Sequence, residues 1–167
     1  DALPILPLST IGWLVRGLEE RRAASAGGLT VLCCDNMASN GRTLRALVRQ
    51  FAEQVDRDLA GWIEDRVTFP SSMVDRIVPA ATPASLEHAA AVLGLRDEAA
   101  VSSEGFTQWV IEDEFAAGRP CWEAVGAELV GDVRPYQELK LRLLNGAHSA
   151  IAYLGALLAK PFVADVM

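Results

Sequence analysis

After Ser9 and Thr10, residues suited to cap a helix, the apolar positions Ile11, Leu14, Val15 and Leu18 recur at helical spacing and the Glu19 to Arg22 run falls largely off that face. The pattern predicts an amphipathic helix from Ile11 to Ala24, ended by Gly27 and Gly28. Leu29 to Cys34 is a short apolar run bounded by turn residues, the pattern of a strand buried on both faces. A polar loop, Asp35 to Gly41, follows it, and Thr43 to about Arg66 reads as one helix with Leu44, Leu47, Val48 and Phe51 at core spacing. Helix, glycine, buried strand, loop and helix is the grammar of an α/β fold, in which ligands sit at the carboxyl ends of strands.

Val67 to Phe69 and Met73 to Pro79, bounded by prolines, read as edge or connecting strands. Pro83 to Leu93 is expected to be a helix, with His88 on its solvated surface, and Gly105 to Glu112 a strand rich in aromatic and β-branched residues. From Arg134 to about Leu158 strand signals are gone and only Gly146 and Gly155 interrupt a helical pattern. A domain boundary is therefore expected between Gly131 and Arg134, giving residues 1–131 and 132–167.

Composition changes this picture little. The 167 residues are 51% hydrophobic and 22% charged, with a net charge of −7, ordinary for a globular chain. An acidic balance without a basic cluster argues against a nucleic-acid partner. Ala150 to Ala159 is strongly apolar, but Asn145, His148, Ser149 and Lys160 flank it too closely for a membrane span, so a buried helix and no membrane association are expected. Cys33, Cys34 and Cys121 form no metal-ligand spacing with His88 and His148, so they read as small buried hydrophobes in a reducing, cytoplasmic compartment, with no metal site. The first ten residues have no basic segment ahead of an apolar run, so no signal peptide is expected and the chain reads as an internal piece of a longer protein.

The C-terminal helical pattern contains the candidate chemistry. On an α-helix, with Lys140 at zero, Leu144 and Ile151 lie at about 20–40°, His148 at about 80° and Asn145 at about 140°, whereas Arg142 and Ser149 lie near 200° and 180°. Three polar groups thus share an arc with apolar side chains. A lysine there either snorkels to water or is buried with its pKa lowered, which makes a general base. A lysine, an amide and an imidazole suit oxidation of an alcohol without metal: the amine takes the hydroxyl proton, amide N–H groups stabilise the developing alkoxide, and a hydride leaves to a cofactor. Asn36 and Asn40, in the loop after the first strand, could complete the polar cage or be ordinary turn asparagines.

Four strings add a resemblance. Cys34-Asp35-Asn36-Met37 with Asn40-Gly41, Phe69 to Pro79, Gln108 to Asp113, and Lys140-Leu141-Arg142-Leu143-Leu144-Asn145-Gly146-Ala147-His148 together resemble the mannitol dehydrogenase family, whose members include fructuronate and tagaturonate reductases and arabinitol dehydrogenase. The resemblance implies the later part of a Rossmann-like domain in residues 1–131 and the start of a mostly α-helical C-terminal domain in residues 132–167, with a metal-independent active site between them that uses NAD or NADP. It implies Lys140 as general base, Asn145 and Asn36 as oxyanion-stabilising amides, His148 as a substrate-orienting residue, and Asp75 near substrate and cofactor; Asn40, from the polar cage, is taken as a substrate-binding candidate beside it. The alternative for Asp75 is a turn residue or an ion-pair partner of Arg76. Two departures stand out: no glycine-rich phosphate loop is present, and Gln137 occupies the place, three residues before the lysine, where the family commonly has glutamate. The activity implied is interconversion of a sugar alcohol or aldonate and its keto form, mannitol with fructose or mannonate with fructuronate. The Cys34 to Met37 loop and Leu95-Arg96-Asp97 look slightly more like the fructuronate reductase branch. The partners expected are thus a small sugar alcohol, ketose or hexuronate, and the different-class alternative is a catalytically silent structural or interaction fragment.

Overall fold

The computed structural model describes residues 8–166, so the reading of the N-terminal end falls in part outside the described residues. Helix α1 spans Thr10–Ala23, and the Ser9 hydroxyl caps it by accepting the Gly12 N–H at 3.1 Å. The expected long helix over 43–66 is two: α2, Asn40–Val55, and α3, Arg57–Arg66. They separate at Asp56, whose backbone is extended and whose carboxylate accepts the Asp58 N–H at 2.8 Å to start α3. A short acidic side chain that can bond its own backbone favours such a cap over a helix interior, and Arg22 of α1 holds the same carboxylate at 2.8 Å. Val15 and Leu18 of α1 pack with Val48 and Ala52 of α2 and with Leu59 and Ile63 of α3, forming the larger core.

Strand β1, Leu29–Thr30, runs parallel to β2, Val67–Thr68, and the Val31 N–H extends the pairing to the Thr68 carbonyl at 2.9 Å. The expectation of a strand from 29 to 34 buried on both faces is corrected here. Leu29 is exposed, residues 30–33 are half-buried, and Cys34 is exposed, because among the described residues β1 has a neighbour on one side only. Its cysteines are correspondingly not core residues: Cys33 is half-buried, and Cys34 and Cys121 are exposed.

The second sheet has the order β3-β4-β5. Strand β3, Ser72–Asp75, lies antiparallel to β4, Gln108–Glu112, and β4 lies parallel to β5, Ala127–Val130, a strand absent from the sequence reading. Both β2 and β3 are edge strands, as their flanking prolines suggested. Helix α4, Pro83–Leu93, starts in a reciprocal Thr82–Ser85 capping box, and His88 is exposed on it. Met73, Val110 and Val133 form the smaller core beneath the sheet.

Gly41 joins the two parts. A Cβ there would stand 2.6 Å from the Pro70 carbonyl carbon and oxygen, and backbone cannot yield as a flexible side chain does. Gly41→Ala should therefore cost about 2–3 kcal/mol of stability, the range for overpacking, read as a lowered urea midpoint.

The expected helix from Arg134 has three parts: α5, Arg134–Leu139, a π-helical segment Lys140–Asn145, and α6, Gly146–Leu157. Asp132 precedes α5, where the Arg134 guanidinium holds its carboxyl at a pKa of about 2. The apolar stretch in α6 is not buried. Tyr153, Leu154, Leu157 and Leu158 are exposed, because among the described residues only the short 3₁₀ turn Val163–Asp165 follows to pack on it, with Val166 against Gly155. Among the described residues no helix is long and apolar enough to cross a membrane.

Candidate functional site

Lys140 begins the π-helical segment and points at the carboxyl end of β1 and at β3. Its ammonium nitrogen donates to the Val74 carbonyl at 2.5 Å and to Asn36 Oδ1 at 3.1 Å, and lies 3.8 Å from Asp75 Oδ1. The side chains of Lys140 and Asp75 are 11% and 16% exposed, so this lysine is folded in rather than extended to water. Asp75 faces Lys140 and not Arg76, whose guanidinium instead donates to the Glu104 carbonyl at 3.1 Å. Because Asn36 uses its oxygen on the lysine, both amide hydrogens remain available to an oxygen atom brought alongside.

Two spaces flank the amine. Behind it, between Asn36, Ser72 and Gln137, the cavity holds only about 10 Å³, at most one water. In front, an open cavity of about 170 Å³ is bordered by Asp75, Gln108, Tyr136 and Leu143. The front cavity is the larger of the two, and Lys140 borders both, so the amine links it to the space that holds Asn36. Roomier clefts, of about 490 Å³ by Arg42, Arg66 and Glu114, about 590 Å³ by Arg49 and Arg57, and about 430 Å³ by Leu14 and Leu44, contain none of Lys140, Asn36 and Asp75.

The π-helical segment alters the helical geometry. In an α-helix Asn145 would sit about 140° from Lys140. Bonding from i+5 to i instead of i+4 to i widens the turn and draws position 145 back towards position 140. Even so, among the described residues neither the Asn145 side chain nor His148 makes a hydrogen bond to Lys140 or Asn36, and neither borders the two cavities. His148 is exposed. The structure thus brings Lys140, Asn36 and Asp75 together and does not bring the Asn145 or His148 side chains to them.

Asn40 is corrected from the substrate cage to the scaffold. It is 1% exposed, its Nδ2 donates towards the carbonyls of Cys33, Asp35 and Ser72 at 2.9–3.1 Å, and its Oδ1 accepts the N–H groups of Gly41 and Ser72 at 2.9 and 3.0 Å. No bonding capacity is left for a ligand. It ties the loop after β1 to β3, the two segments whose Asn36 and Val74 oxygens accept from Lys140. Although Cys34 as a whole is exposed, partial burial of its sulfur pushes its thiol up. The sequence reading missed the Val74 and Ser72 carbonyls, which no side-chain motif reveals.

The geometry defines a class: the later part of an α/β domain joined to the start of a helical one, with an enclosed lysine where they meet. The chain belongs to the mannitol dehydrogenase family, matching its Rossmann domain over residues 4–124 and its C-terminal domain over residues 132–167. It is 53% identical over 164 residues to an uncharacterized oxidoreductase, YdfI, and 49% identical over 164 residues to D-mannonate oxidoreductase, both of Escherichia coli K12. Each alignment covers 98% of this chain and 34% of the relative, so the chain spans about a third of the length of the curated relatives it matches. The solved ternary complex of Pseudomonas fluorescens mannitol 2-dehydrogenase with NAD and D-mannitol superposes with a TM-score of 0.85 at 41% identity, covering 96% of this chain and 32% of that one.

Proposed function

We propose that the full-length protein is an NAD(P)-dependent oxidoreductase, acting in a cytoplasmic compartment. It interconverts a sugar alcohol or aldonate and its keto form, mannitol with fructose or mannonate with fructuronate, with Lys140 as its proton acceptor. The observation that carries the reading is the enclosed amine, held by Val74, Asn36 and Asp75 beside a cavity open to solvent. The 49% identity to D-mannonate oxidoreductase favours the hexuronate branch. The division at residues 131/132 accords with the separate ranges of the two family matches.

In the oxidative direction, the Lys140 amine accepts the hydroxyl proton of a substrate seated in the front cavity. Asn36, its oxygen held by the lysine, turns its amide hydrogens to the same oxygen as that atom gains charge. Asp75 sits close enough to bind a neighbouring hydroxyl. The family resemblance assigns Asn145 as a second amide donor and His148 as a substrate-orienting residue, although neither side chain borders the cavities beside Lys140 in this structure. When bound, the nicotinamide supplies the hydride acceptor. No G-x-G-x-x-G occurs in this chain, and no cofactor contact is assigned to its residues.

The test is turnover of the full-length protein on hexitols, ketohexoses, aldonates and keto-hexuronates with NAD and NADP, before and after prolonged chelation. Turnover with mannonate and fructuronate or with mannitol and fructose, undiminished by chelator, is the expected result. Loss on chelation, restored by zinc, would displace the lysine mechanism. No turnover on any member of the panel would favour a structural or interaction role.

A further inference from the structure

Three elements distant in sequence must keep register for Lys140 to lie as it does: the loop carrying Asn36, strand β3 with its Val74 carbonyl, and the helical run itself. One side chain touches all three. Gln137, a turn before Lys140, is 4% exposed although it is polar. Its Oε1 accepts the backbone N–H of Ser39 at 3.0 Å, and its Nε2 donates to the Ser72 carbonyl at 2.9 Å and approaches the Met37 carbonyl at 3.5 Å. Ser39 has a left-handed backbone, φ 51° and ψ 40°, which a non-glycine residue adopts only when its surroundings impose it.

We propose that Gln137 is a positioning residue: its amide clasps the Asn36 loop and strand β3 to the helix and so sets the distances from Lys140 to Asn36 and Val74. The proposal rests on the reading of Lys140 as the proton acceptor. In this chain the clasp is made by an amide, where the family commonly has glutamate. Ser39 presents a donor and Ser72 an acceptor, and a carboxamide answers both with one planar group, whereas an ionised carboxylate would turn an oxygen towards the Ser72 carbonyl. Residues three apart on a helix share a face, so the clasp acts on the same surface from which Lys140 projects.

The test uses the full-length protein and the substrate with the highest turnover in the panel above. Gln137→Met keeps the length of the side chain and removes both bonds. Its kcat should fall about tenfold or more, the scale on which small misplacements of reacting groups act, while NADH affinity by fluorescence titration stays within about twofold. Gln137→Glu keeps the acceptor for Ser39 at every pH and offers Ser72 a donor only while protonated. Its kcat should therefore carry an ionisation that the native enzyme and Gln137→Met lack, high on the acid side and falling as pH rises. The other ionisable groups around the clasp are Lys140, Asp75, Asp35 and the Cys34 thiol beside Ser72, common to all three proteins. A purely structural role would lower stability without adding that ionisation. If Gln137→Met does not fold, as judged by NADH binding, Gln137→Glu decides alone. Native kcat and native pH profiles in both variants, alongside a collapse in Lys140→Ala, would overturn the clasp and leave the base standing. Near-native turnover of Lys140→Ala would overturn the reading beneath it.

Discussion

Lys140→Ala in the full-length protein is expected to lower turnover in alcohol oxidation by at least about 10²-fold, the lower range for losing a general base. Nicotinamide affinity should change little, because no atom of the lysine is assigned to cofactor. The substitution removes the amine that bridges Asn36 and Val74 and leaves the Asp75 carboxylate, 16% exposed, without its cationic neighbour. Some stability is lost with it, about 1–2 kcal/mol for a hydrogen-bonded charged group, so rates must be taken per folded molecule. A small primary amine added to the variant discriminates further. It can enter the vacated volume from the front cavity and take the proton, restoring part of the rate without restoring the missing contact to Val74. Near-native turnover in the variant would make Lys140 a packing residue.

Asn40→Ala should produce the largest loss of stability, about 3 kcal/mol, through a different cause. Deleting the amide strands the Gly41 and Ser72 N–H groups, and unsatisfied buried groups cost about 1–3 kcal/mol each before any relaxation; the Cys33, Asp35 and Ser72 carbonyls keep the Ser72 hydroxyl, the Met37 N–H and Gln137 Nε2 as donors. Urea unfolding of the full-length protein measures it. Asn40→Asp sharpens the argument, since it keeps the shape but turns an oxygen towards the carbonyls of Cys33, Asp35 and Ser72. At neutral pH it should be at least as destabilised as the alanine variant, and it should recover as pH falls and the carboxyl gains a proton. An Asn40→Ala protein as stable as the native one would remove Asn40 from the scaffold.

The contact between Lys140 and Asn36, 104 residues apart, was legible in the sequence because both residues belong to strings whose order and spacing are specific. Asn40 was misread for a physical reason. A polar side chain in a loop at the end of a parallel strand has the same sequence signature whether it faces a ligand or backbone carbonyls, and only the fold reveals that three carbonyls converge on it. Gln137 drew notice as a departure from the family, but its partners are the backbone of Ser39 and Ser72, which leave no mark in residue identities. The π-helical segment was likewise hidden: nothing in Lys-Leu-Arg-Leu-Leu-Asn departs from α-helical preference, so an ideal wheel misplaced Asn145. The exposed apolar face of α6 shows the limit of hydropathy, which reports what a segment can bury and not whether a partner lies against it.

The central claim is that the reacting oxygen meets Lys140 and Asn36 together. A crystal structure of the full-length protein with nicotinamide cofactor and its sugar alcohol or aldonate measures this directly. The account predicts the reacting hydroxyl oxygen in the cavity beside Asp75, within about 3 Å of Lys140 Nζ and of Asn36 Nδ2. A substrate bound with that oxygen beyond hydrogen-bond reach of Lys140, its hydroxyl proton directed to another residue or to a metal, would contradict it.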